Sequence, residues 1–251
     1  MSIEATGSAT DRSETAPLAP DRVRDAATVI LLRHDGPFPR VLMGQRGKSA
    51  AFMPSKFVFP GGALDAGDYV AAEAFSPPAA LAERLGAARV GAPDTALGAA
   101  LAMAAVRELW EETGLVHASH APAPATATVT ALPEPWDRFA ARHGTPDFAG
   151  LGFVFRAITP PGRTRRFDAR FLTLDAGRLS CDLDDFSGAD QELSHLRWIT
   201  LSEARGLDLP FITEVVLGEV EARLRAGPEA ARARPAPFFH HDGGRSYLDP
   251  L

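Results

Sequence analysis

The stretch Arg107-Glu108-Leu109-Trp110-Glu111-Glu112-Thr113-Gly114-Leu115 restricts the fold more than any other part of the chain, because it gathers three carboxylates on one helical face. At 3.6 residues per turn, Glu108, Glu111 and Glu112 lie three and four positions apart and project together. Like charges at that spacing cost an isolated helix about 0.2–0.5 kcal/mol per pair. A divalent cation that prefers oxygen ligands, Mg²⁺ or Mn²⁺, turns that repulsion into coordination. An arbitrary Glu-x-x-Glu-Glu is more often a solvated acidic face. Here the framing Arg107 and Gly114, and a glycine turn upstream, favour the metal reading. In that turn Lys56 to Phe59 reads as a strand running into Pro60-Gly61-Gly62, a tight bend that glycine can make at positive φ. Glycine also lets a carbonyl or amide approach a metal or phosphate closely, so Gly61 and Gly62 are candidate contributors to a metal site.

Taken together, the glycine turn and Arg107–Leu115 resemble the signature of the Nudix hydrolases: G, five residues, E, seven residues, then R-E-U-x-E-E-x-G-U, with U aliphatic or aromatic. Arg107 to Leu115 matches the second half in full, and Gly62 matches the opening glycine. Asp68 stands where the family has its first glutamate. Between Asp68 and Arg107 the chain carries roughly thirty residues more than the family's usual seven, from Tyr69 to about Thr95. Loop-closure entropy grows only logarithmically with length, so such an insertion still lets turn and helix meet. A box interrupted here resembles that of the peroxisomal acyl-coenzyme A diphosphatases and their bacterial relatives. Gln45-Arg46, Phe52-Met53-Pro54 and Arg165-Arg166-Phe167-Asp168-Ala169-Arg170-Phe171 are similar to that subgroup too. The L-L-T-x-T stretch of another coenzyme A-cleaving branch is absent.

Composition sets the surrounding limits. With 251 residues, the chain has room for one domain with extensions, or at most two small ones. A net charge of −6 offers no basic excess for nucleic acid. The single Cys181 excludes an intramolecular disulfide and fits a buried thiol in a reducing compartment. No apolar run reaches bilayer length, and no basic-then-apolar leader opens the chain. The expected location is therefore the cytoplasm, with no membrane partner.

Along the chain, residues 1–22 read as a disordered tail, 23–227 as the catalytic domain with an insertion at about 69–95, and 228–251 as a C-terminal tail. Strands are expected at Ala26–Leu32, Arg40–Gln45, Lys56–Phe59, Leu151–Thr159, Arg166–Leu174 and Glu192–Thr200. The insertion is expected to hold a short helix near Ala79–Leu85 and a surface loop. Asp94 or Thr95 can cap the acidic helix, which ends at Gly114, with Leu101, Ala105, Val106 and Leu109 facing the core. His117 to about Ala131 reads as a linker. Further helices are expected at Pro135–His143, Ser202–Arg205 and Phe211–Leu224. The resemblance implies an α/β class fold, a Nudix-type α/β/α sandwich with a mixed sheet and an insertion within the box.

The chemistry implied is metal-dependent hydrolysis of a diphosphate linkage. Glu108, Glu111 and Glu112 would hold Mg²⁺ or Mn²⁺ with help from a Gly61 or Gly62 carbonyl. Arg107 is i−4 to Glu111 and would orient a box glutamate. The proton acceptor would be a box glutamate or Glu192. Arg46 and Arg170 are candidates for the substrate's phosphates, since a guanidinium fork makes two hydrogen bonds at once. His240-His241-Asp242 lacks a second cluster at ligand spacing, and no G-K-[ST] follows the glycines to make a P-loop. The expected partner is a small nucleoside diphosphate derivative, coenzyme A or an acyl-coenzyme A first. A nucleoside diphosphate sugar, ADP-ribose or a dinucleotide comes next, and a binding module without turnover is the reading from another class. The insertion is a candidate lid or homodimer contact.

Overall fold

The computed structural model of the chain describes residues 22–48, 52–87, 91–119 and 131–251. Strand β1 (Val23–Arg33) forms a hairpin with β2 (Arg40–Arg46). Short strands β3 (Phe57–Val58) and β4 (Gly61–Ala63) flank Pro60. The insertion follows as α1 (Ala66–Phe75) and α2 (Ala79–Leu85), and the acidic helix as α3 (Thr95–Thr113). Then come β5 (Ala118–Ser119), α4 (Trp136–His143), β6 (Thr145–Pro146), β7 (Gly152–Ile158), β8 (Arg166–Asp175) and β9 (Leu193–Thr200). The chain closes with α5 (Leu201–Ala204), α6 (Phe211–Ala226), α7 (Pro228–Ala233) and the hairpin β10 (Pro237–Asp242) and β11 (Arg245–Pro250).

The strands join one mixed sheet in the order β11-β10-β7-β8-β1-β2-β3, with β4 on β1 and β9 on β2. β1 is its central strand, parallel to β8 and antiparallel to β4. Both its faces are buried along most of its length, which is why Ala26 to Leu32 is apolar except at Thr28, which lines the cleft. Ala27, Val29 and Leu31 pack on the side of α3, whereas Ile30 and Leu32 pack on the side of α6 with Val216, Leu217 and Val220. This is the α/β/α sandwich with a mixed sheet.

Asp94 caps α3 by accepting from the Leu97 amide at 2.9 Å, and Gly114 ends it with a left-handed φ of 75°. Leu101, Ala105, Val106 and Leu109 are buried, and so are Ala100, Ala102, Met103 and Ala104. That all-round burial comes from the insertion. Helix α2 lies where it was expected, but Ala66–Phe75 is a helix rather than loop, with Ala71, Ala72, Ala74 and Phe75 buried in the same core as α3. The insertion thus covers the outer side of α3, and the alanines of α3 let two further helices approach it.

Two other expectations change. Residues 228–251 do not hang free as a tail: they form α7 and a hairpin whose β10 adds parallel to β7. At the start of the expected linker, β5 pairs with β6. The remaining linker residues 120–130, and 1–21 of the N-terminal tail, lie outside the described residues.

Candidate active site

The glycine turn and α3 meet along one edge of the sheet. Gly61 and Gly62 are registered with Thr28 and Ala27 of β1. The Gly61 amide donates to Glu112 Oε2 at 2.7 Å. A Cβ on Gly62 would stand 2.4 Å from Glu108 Oε1, and one on Gly61, at φ 157°, would stand 2.5 Å from the Ala27 carbonyl oxygen. The two glycines are therefore what permits carboxylates to lie against the strand.

Arg107 organises these acids. Its guanidinium donates to both oxygens of Asp68 at 2.9 Å, to Glu108 Oε1 at 2.8 Å, to Glu111 Oε2 at 2.9 Å and to the Ala63 carbonyl at 3.0 Å. Burial opposes the charge on Arg107, but Asp68, Glu108 and Glu111 outweigh it and hold the guanidinium above its ordinary range. Asp68 is wholly buried, and it also accepts from the Trp136 indole at 3.0 Å and the Asp65 amide at 2.9 Å. The shorter carboxylate at this position thus serves as the counter-ion of Arg107.

Glu108 is pushed up to about 7, first by burial and then by the charges of Glu111 and Glu192, with Arg107 pulling the other way. Burial and the neighbouring Glu108 push Glu112 well above the carboxylate range, although the Gly61 amide favours its charge. Glu192 is half exposed and pairs with Arg46 at 2.8 Å.

A cleft of about 1160 Å³ opens over this edge. Gly61, Gly62, Arg107, Glu108, Glu111 and Glu192 lie at its acidic end. Arg24, Lys56, Arg163 and Arg165 stand at its margins, and Phe52, Phe167, Phe171 and Phe239 make its apolar surface.

No protein-family profile and no curated protein matches the chain. Among solved structures, it is similar to the NUDIX hydrolase from Alicyclobacillus acidocaldarius, with 26% identity over 84% of this chain and 100% of that one, and a TM-score of 0.55. The fold is that of a Nudix hydrolase. Two further structures align at lower similarity. The NUDIX domain of Shewanella oneidensis NrtR complexed with ADP ribose has 12% identity, with 84% and 95% covered and a TM-score of 0.44. A C. elegans Ap4A hydrolase binary complex has 14% identity, with 82% and 100% covered and a TM-score of 0.43. With this fold and an unbroken Arg107–Leu115 box, the chain is an enzyme of the Nudix hydrolase type.

Within this Nudix fold the box residues come together, and so do Arg46 and Glu192, which line the same cleft as Glu108. Arg170 does not join them. It sits on the opposite face of β8 from Phe167, Ala169 and Phe171, is 2% exposed, and is held by Asp25, Asp168 and the Leu85 carbonyl. Its expected contact with substrate phosphate is therefore corrected to a structural ion pair joining β8 to β1 and α2. Arg163, Arg165 and Lys56 are cleft cations that the sequence reading passed over. Strand parity was the available signal: Asp168 and Arg170 share a parity, opposite to that of Phe167 and Phe171.

Among the described residues, no three His, Cys, Asp or Glu side chains stand together as a ready-made metal cluster. Arg107 lies between the acids instead. The donors still fit a hard divalent cation. Among the described residues, the cations that pair with Glu108, Glu111 and Glu192 are Arg107 and Arg46, and Arg107 is shared with Asp68. Two buried carboxyls held above their ordinary range mark the positive charge that the protein itself does not supply.

Proposed function

We propose that this Nudix hydrolase cleaves the diphosphate bridge of coenzyme A or an acyl-coenzyme A, giving 3′,5′-ADP and 4′-phosphopantetheine or its acyl form. The observation that carries the reading is the union, in one cleft, of an acidic end built on the Nudix box with a long phenylalanine-lined surface. A nucleoside diphosphate alone leaves that apolar surface uncovered, whereas an arm attached to the second phosphate covers it. A volume of about 1160 Å³ lies just above the ordinary range of about 300–1,000 Å³ for small-molecule sites.

Glu108, Glu111 and Glu112 would hold Mg²⁺ or Mn²⁺, together with a carbonyl of Gly61 or Gly62. The chemistry such a cation supplies is neutralisation of phosphoryl oxygens and acidification of water. The protein's own part is positional. Arg107 fixes the carboxylates of Glu108 and Glu111, and α1, through Asp68, fixes Arg107. The acceptor of the attacking water's proton would be a box glutamate or Glu192, which lines the cleft beside Arg46. Water adds to one phosphorus, the P–O–P bridge breaks, and the other phosphate leaves with the bridging oxygen. Arg163 and Arg165 supply cations for phosphate oxygens, whereas Lys56 is paired with Asp208.

The test is a substrate panel of coenzyme A, acetyl- and long-chain acyl-coenzyme A, ADP-ribose, a nucleoside diphosphate sugar and a dinucleotide, each with Mg²⁺ and with Mn²⁺. Products are separated by chromatography. Release of 3′,5′-ADP from the coenzyme A compounds, at higher kcat/KM than any other cleavage, supports the proposal. Preference for ADP-ribose or a dinucleotide moves the substrate to the second reading and keeps the chemistry.

A further inference from the structure

The floor of the cleft has an order that diphosphate chemistry leaves unused. Ala63 of β4 is registered with Ala26 of β1, Ala26 with Ala169 of β8, and Ala169 with Ala157 of β7. All four line the cleft. Residues in register point to one face of a sheet, so four methyl groups make a straight row across four strands. At about 4.8 Å between strands, the row is about 14 Å long.

The rows on either side are higher. On one, Arg24 is registered with Phe167, whose ring meets Phe52 edge-on at 5.2 Å. On the other, Thr28 is registered with Phe171, whose ring packs against Phe155 at 6.1 Å. The row ends on the C-terminal hairpin, where Phe239 is registered with Ala157 and its ring lies 5.9 Å from that of Phe211. The result is a trench with an alanine floor, walls of Phe167 and Phe171 continued by Arg24 and Thr28, and a phenylalanine end. It starts at Ala63, whose carbonyl accepts from Arg107.

We propose that this trench seats the unbranched arm of the substrate, and that Ala26, Ala169 and Ala157 are the residues that set specificity for it. The inference rests on the coenzyme A reading above. A floor one residue wide admits a linear chain and excludes a branched or cyclic group of sugar size. Alanine methyls offer no partner to the polar edge of a nucleobase, and no cation on the floor draws a phosphate away from the box. The far end adds one polar point. His241 Nε2 is buried without a partner among the described residues, while its Nδ1 lies 3.1 Å from Ser246 Oγ.

Filling the trench tests this. Ala169→Leu in the full-length enzyme is expected to raise KM for coenzyme A and its thioesters about tenfold or more, with kcat within about threefold. Inhibition by 3′,5′-ADP, which has no arm, should stay within about twofold and serves as the check that the site is intact. Ala157→Leu, one strand farther from the box, should penalise a long-chain thioester more than coenzyme A itself. Ala157→Val supplies the same test with a smaller group should either leucine variant fail to fold. Unchanged KM in folded variants overturns the trench assignment and leaves the substrate reading standing, as does weakening of 3′,5′-ADP inhibition in parallel with KM. Wild-type enzyme that cleaves no coenzyme A compound overturns the substrate reading, and the arm site falls with it.

Discussion

Arg107 donates to Asp68, Glu108, Glu111 and the Ala63 carbonyl, so one guanidinium joins the insertion, the acidic helix and the glycine turn. Its position follows from residue chemistry. Five planar donors match several carboxylates at once, which lysine could not do. Asp68→Ala removes the bidentate partner and leaves the buried charge of Arg107 short of its main counter-ion. Equilibrium urea unfolding is expected to show a loss of about 3–5 kcal/mol. Gly62→Ala acts by a different route. Its methyl group would occupy the space of Glu108 Oε1, so Glu108 must move. A drop in kcat of about a hundredfold, with the fold retained by circular dichroism, is the expected result. Spacing alone groups Glu108, Glu111 and Glu112, because residues three and four apart along a helix are neighbours by geometry, whereas Gly61, Gly62 and Arg107 enter through the glycine turn and the resemblance of the box. Arg170 misled because a strand's facing depends on register with its neighbours, and Arg165 to Phe171 alone does not say which parity is inward.

At the scale of elements, hydrophobic periodicity and cap chemistry located most strands and helices, including α2 and the Asp94-to-Gly114 limits of α3. Helix α1 escaped notice because Ala66 to Phe75 carries little amphipathic pattern: its apolar face is made of alanines, and its role is to bring Asp68 to Arg107. The hairpin β10–β11 escaped for another reason. Pro, Arg and His between Pro228 and Asp242 read as loop composition, whereas the strand is fixed by its pairing with β7, a contact distant in sequence. That hairpin brings Phe239 and His241 to the cleft. A chain ending at Pro235 is expected to melt at a lower temperature, since the β7 edge is bared and Phe238, 2% exposed, is lost from the core. It should also show a raised KM for the substrate. Differential scanning fluorimetry and initial rates check the two effects separately.

For the whole molecule, the sandwich buries a concentration of negative charge that its own cations do not balance. Glu108 titrates near 7 in the folded protein against an ordinary value of 4.5, and Glu112 is raised in the same direction. A carboxyl with a raised folded pKa contributes stability that is present below 4.5 and lost as pH rises through 7. Metal-free protein is therefore expected to lose melting temperature between about pH 4.5 and 7 through Glu108, with Glu112 acting in the same direction. Added Mn²⁺ should raise the melting temperature more at pH 8 than at pH 5, because it binds the charged carboxylates. Melting curves in chelator and in Mn²⁺ at both pH values decide the sign.

The acids of α3 beside the glycine turn are the proposed place where a diphosphate is hydrolysed with a divalent cation. The direct test is the initial rate of 3′,5′-ADP release from coenzyme A in Mn²⁺, for wild type, Glu111→Gln and Glu112→Gln, with a chelator control. The expected result is turnover by wild type, none in chelator, and a loss of about a thousandfold in each variant with the fold intact. Wild-type rates in both variants, or a rate indifferent to the chelator, would contradict it.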